Sequence, residues 1–105
     1  MSFTLRPYQR FPVACDVTYE HWFREGQGTV WNLSRTGWRM SGTLPLHCGD
    51  VCTLRAVLPT QKQISVTAGI VRWVRGEDYG IETLVMDRKV EAHLGKYIHE
   101  RMREL

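Results

Sequence analysis

Lysine is scarce in this sequence: of 14 basic residues only Lys62, Lys89 and Lys96 are lysines, and arginine supplies the rest. Arginine carries a planar fork of donors that fits phosphate, or the edge of guanine, through paired hydrogen bonds. With a net charge of +3, the composition favours anionic partners through attraction that salt would screen. No apolar run approaches the roughly 20 residues of a membrane helix. The opening residues Met1 to Arg6 also lack the apolar stretch of a secretory signal, so a cytoplasmic location is expected. Cysteine is limited to Cys15, Cys48 and Cys52, an odd set without a C-x-x-C pair, which argues against a disulfide framework. The spacing of His47, Cys48 and Cys52 matches no standard zinc motif, and no metal is expected. There is no glycine-rich P-loop and no readable pair of acids. The histidines at 21, 47, 93 and 99 are scattered and none neighbours Ser34 in sequence. No catalytic residue is nominated, and an enzyme is not expected.

What is present is the material of one globular domain: 105 residues, 43% hydrophobic and 24% charged. Between Phe11 and Trp22 the residues Val13, Cys15, Val17 and Tyr19 alternate with polar neighbours, which is strand periodicity. The run Arg24-Glu25-Gly26-Gln27-Gly28 carries turn chemistry, and extended segments resume at Thr29 to Ser34 and Trp38 to Ser41. Gly42 to Gly49 reads as a loop. Two further strands follow from Val51 to Leu58 and from Ile64 to Val74, the second with a bulge expected at Gly69 where the alternation shifts by one residue. Arg75 to Asp78 makes another turn before a last strand, Tyr79 to Leu84. From Asp87 the period changes, with Val90, Leu94, Ile98 and Met102, joined by Tyr97 and Leu105, on one face of a helix that Asp87 can cap. The pattern predicts a mainly β fold in three parts: residues 1–10 a flexible arm, 11–84 a six-stranded antiparallel β-barrel and 85–105 a C-terminal helix.

Two motifs frame the first two strands. Arg6-Pro7-Tyr8-Gln9-Arg10 is R-x-x-x-R, and Asn32-Leu33-Ser34-Arg35-Thr36-Gly37 is [DN]-x-S-x-x-G. In this order they resemble the PilZ domain family, and Gly69 to Val74 and Tyr79 to Glu82 resemble its last strands. The resemblance implies a barrel that binds the bacterial second messenger cyclic di-GMP, with no resident cofactor, through Arg6, Arg10, Asn32, Ser34 and Gly37. It also implies a stand-alone receptor that passes the signal to an effector protein, in processes such as motility, adhesion or the exopolysaccharide production of biofilms. The family has a further basic residue ahead of the first arginine in members that take a stacked ligand pair; Leu5 stands there in this sequence, which favours a single ligand.

The chemistry of these residues agrees with that implication. An arginine fork can grip a phosphate or the O6/N7 edge of guanine, and it can stack on a purine. On extended backbone Asn32 and Ser34 would face the same way. Gly37 would permit a positive φ or a close approach of ligand to backbone. Arg35 can add a phosphate contact, and Trp73 offers a stacking surface. Two other readings exist. One is a PilZ-like adaptor acting through protein contacts, on the helix face near Tyr97 and Met102 or on an exposed barrel face, without need of nucleotide. The other, ranked last, is single-strand nucleic-acid binding through basic charge with Trp22, Trp31, Trp38 and Trp73, several of which are expected in the core.

Overall fold

A computed structural model describes residues 11–103. Six strands occur in the order β1 (Phe11–His21), β2 (Arg24–Leu33), β3 (Gly37–Gly42), β4 (Val51–Val57), β5 (Gln63–Arg75) and β6 (Asp78–Val85). One helix follows, α1 (Arg88–Arg103). The strands close into an antiparallel barrel ordered β1-β2-β3-β6-β5-β4, sealed where Val17–Glu20 of β1 pair with β4. Alternation dictates the filling. Cys15, Val17 and Tyr19 of β1, Val30 and Leu33 of β2, and Trp38 and Met40 of β3 point inward. Leu54 and Ala56 of β4, Ile64, Val66 and Val71 of β5, and Tyr79 and Ile81 of β6 meet them from the other side. Among the described residues no helix is long and apolar enough to cross a membrane.

The first hairpin turns elsewhere than the glycines suggest. His21 pairs with Arg24, so the turn is the two residues Trp22 and Phe23, both in left-handed backbone (φ 51° and 61°). That is the geometry of a two-residue hairpin loop with positive φ at both central positions. The glycines of the 24–28 run lie inside β2 because the sheet needs them bare. A Cβ on Gly26 would collide with Leu44 and the ring of Tyr19, and one on Gly28 would strike the Ser41 backbone. The Tyr19 hydroxyl, which that packing fixes, donates to the Leu44 carbonyl and accepts from the Leu44 amide, each at 2.8 Å.

The bulge expected at Gly69 is present: the β5–β6 register breaks between Ala68 and Gly69. A second break, between Val71 and Trp73, lets Val71 stay inside while Trp73 lies half-buried on the outside. At the start of α1 the Asp87 carboxylate accepts the Lys89 amide at 2.8 Å, satisfying one of the unpaired N–H groups of the first turn. Leu94, Tyr97 and Ile98 bury one face of the helix, with Val90 and Met102 packed at its margin. The face around Tyr97 and Met102 is therefore occupied by the chain's own core and is not a free adaptor surface. Leu105 lies outside the described residues.

Candidate functional site

The barrel's first strand begins beside the end of its second. Phe11 pairs with Leu33 and Pro12 with Asn32, so the register sets the point of entry into the barrel against the Asn32–Gly37 segment. Arg6 and Arg10 lie outside the described residues.

The segment itself is locked. The Ser34 hydroxyl donates to the Gly37 carbonyl at 2.9 Å and accepts the Gly37 amide at 2.9 Å and the Thr36 amide at 3.3 Å. The Ser34 amide donates to the same carbonyl. The loop is also tied sideways to β6, because the Thr83 amide donates to the Thr36 carbonyl at 2.9 Å. Strand β2 ends at Leu33, so the alternation that would set Asn32 and Ser34 on one face stops before Ser34. Ser34 is 1% exposed and uses both its proton and its lone pairs within the loop, while Asn32 stays half-buried. The left-handed glycines among the described residues are Gly49 and Gly76; Gly37 starts β3 without positive φ.

The pairing register builds a row that spacing in the sequence does not reveal. Asn32 pairs with Arg39, Arg39 with Gly80 and Gly80 with Trp73. Leu33, Trp38, Met40, Tyr79 and Ile81 beside Asn32, Arg39 and Gly80 are core residues, which turns those three outward, and Trp73, paired with Gly80, extends the row onto a fourth strand. The indole of Trp73 lies directly on Gly80, where any Cβ would overlap it. The guanidinium of Arg75 sits 5.7 Å from the Trp73 ring centroid, within cation–π range. Alongside, Arg72 Nε donates to Glu82 Oε2 at 2.8 Å. That bond holds the Glu82 carboxyl below its usual range and raises the Arg72 guanidinium further. Arg39 reaches Asp78 at 3.6 Å.

A cleft of about 210 Å³ opens here, lined by Thr36, Gly37, Arg72, Trp73, Gly80 and Glu82. It joins Gly37 and Trp73 in one concavity, with Asn32 on the same outer row. Arg35 lies on the other side of the loop, with its Nε close over Gly95 of α1. Sequence reasoning missed Arg39, Arg72 and Arg75. Their contribution depends on strand register and on the bulge between Val71 and Trp73, and neither follows from a single sequence. Of the four tryptophans only Trp38 fills the core. Trp31 is exposed with its indole N–H on Ser41 Oγ at 2.9 Å, and Trp22 is 77% exposed at the hairpin tip, against the expectation that several would be core.

A larger concavity, about 580 Å³, lies beside the Trp22–Phe23 turn. It is lined by Glu20, His21, Asp50 and Thr53 among others and contains no arginine or lysine, which is the wrong charge for a phosphate ligand.

The PilZ domain family model matches residues 4–100. Among solved structures the chain is similar to the Bacillus subtilis inhibitor of motility (MotI/DgrA), with a TM-score of 0.82 and 20% identity over 97% of this chain and 53% of that one. It thus spans about half the length of that protein. It is also similar to the PilZ domain of CeSA from a cellulose-synthesizing bacterium, with a TM-score of 0.68 and 13% identity over 90% of this chain and 98% of that one. No match was found among curated proteins.

Proposed function

The chain belongs to the PilZ domain family, and from that premise we propose that it binds cyclic di-GMP on the outer barrel face between Asn32 and Trp73 and relays the bound state to a partner protein. One observation carries the reading. Asn32, Gly37 and Trp73 share the outside of the barrel next to a rigid, serine-locked loop, and the strand that follows Arg10 begins against that same segment. Asn32 offers an amide to a guanine edge, Gly37 borders the adjoining cleft, and the Trp73 face can stack a purine. Arg6 and Arg10 supply charge for phosphate or guanine beside Arg72 and Arg39, whose own charges are paired with Glu82 and Asp78. Ser34 acts by holding the loop and not by touching ligand. The role is that of a bacterial cytoplasmic receptor with no catalytic step. One structural neighbour is an inhibitor of motility, so control of motility is the first process to examine, with biofilm formation next.

Calorimetric titration with cyclic di-GMP tests this. Wild type should bind with about one ligand per chain, and Arg10→Ala should lose at least tenfold in affinity, the equivalent of about 1.4 kcal/mol. No heat with wild type, or equal affinity for the variant, would reject the reading.

A second reading, an adaptor that binds its partner without nucleotide, draws on the hairpin tip. Trp22 and Phe23 are both highly exposed in a backbone conformation that aromatic residues rarely adopt. Capture of the partner by an Arg6→Ala, Arg10→Ala variant as efficiently as by wild type would favour it.

A further inference from the structure

The loop from Ser34 to Gly37 separates two concavities. Thr36 and Gly37 border the cleft with Trp73, whereas Arg35 borders a groove of about 620 Å³ against one face of α1. The helix contributes Arg88, Glu91, Gly95, Lys96 and His99, positions that 3.6-residue periodicity brings onto one side. Three permanent cations, Arg35, Arg88 and Lys96, therefore surround a single carboxylate. None of the three cations is in an ion pair among the described residues. Like charges gathered in a concavity repel one another unless an anion sits between them.

The floor of the groove is equally suggestive. Glycine inside a helix costs about 1 kcal/mol relative to alanine. Packing does not require it at 95, since the nearest atom to a Cβ there would be Arg35 Nε at an ordinary 3.9 Å. What the bare position provides is width at the point where Arg35 leans over the helix.

We propose that this groove holds a phosphate of the bound dinucleotide, with Arg35 on the loop and Arg88 and Lys96 on α1 closing on it. The inference rests on the cyclic di-GMP reading above and adds to it a residue set on α1. The ligand then bridges barrel loop and helix, and α1 is the element whose position reports occupancy.

Titration of cyclic di-GMP at two salt concentrations into wild type, Arg88→Ala/Lys96→Ala and Arg88→Lys/Lys96→Arg tests it. The alanine pair should weaken binding at least about tenfold at low salt and flatten the salt dependence, because fewer charges are neutralised. The charge-preserving pair should stay close to wild type. Both side chains are exposed, so the melting temperature should not move. Wild type binding with the alanine pair within twofold of it at both salts would overturn the groove assignment alone. Absence of any binding by wild type would overturn the ligand reading and this inference with it.

Discussion

Replacing Ser34 by alanine separates the two jobs a serine can do at such a position. Its hydroxyl is the acceptor for the Gly37 amide at 2.9 Å and the Thr36 amide at 3.3 Å. Gly37 is buried, so its orphaned N–H could not turn to water; leaving a buried donor unmade costs about 1–3 kcal/mol. Thr36 is exposed and its amide can be solvated at little cost. The expected destabilisation is about 2 kcal/mol, a fall of roughly 8–10 °C in melting temperature for a domain of this size. Circular dichroism melts read the first quantity and calorimetry with cyclic di-GMP reads the second. Ser34→Asn should recover part of the stability, because an Asn side chain can accept the same amides in an Asx turn. Ligand affinity should fall only as far as the loop loosens, and it should recover with stability in Ser34→Asn. A Ser34→Ala protein that melts within about 1 °C of wild type yet no longer binds ligand would refute the scaffold role and make the hydroxyl a direct contact.

Other consequences are equally open to measurement. Gly80→Ala should drive the Trp73 indole off its seat, shifting tryptophan emission and weakening nucleotide binding; an unchanged spectrum would contradict that packing. Tyr19→Phe strips the Leu44 amide and carbonyl of a buried partner and should cost about 1–3 kcal/mol in a urea titration. Trp22→Asn with Phe23→Gly should raise stability by about 1 kcal/mol, since those residues tolerate the left-handed backbone that the aromatics do not. Burial, reinforced by the Asp50 carboxylate, pushes the Cys52 thiol from 9.0 up to about 11. The folded state thus favours the protonated thiol. Its contribution is complete below pH 9.0 and is lost as pH rises towards about 11; Cys52→Ala should remove this part of the alkaline decline, seen in melts across that range.

The elements with strong internal periodicity were legible from the residues alone. The alternation of Cys15, Val17 and Tyr19 marked β1, the Asp87 cap and the Leu94–Ile98 stripe marked α1, and the phase slip at Gly69 marked its bulge. The first hairpin misled because glycine serves two physical ends. At Gly26 and Gly28 it permits close approach inside a closed barrel, while the turn itself fell on two aromatics that no turn preference would nominate. Ser34 illustrates a similar ambiguity, because serine chemistry suits a ligand contact and a loop clasp alike. The neighbourhood of Asn32 and Trp73 depends on which residues pair across four strands, and that information resides in tertiary register. The grouping of Arg35 with Arg88 and Lys96 likewise requires knowing where α1 docks.

Most direct for the central claim is a ¹H–¹⁵N spectrum recorded during titration with cyclic di-GMP, which resolves an indole signal for each of the four tryptophans. The Trp73 indole and the amides from Asn32 to Gly37 should shift in step with saturation, while the Trp22 indole at the hairpin tip stays in place. Shifts confined to Trp22 and its neighbours, or none at all, would contradict the assignment of this barrel face as the nucleotide site.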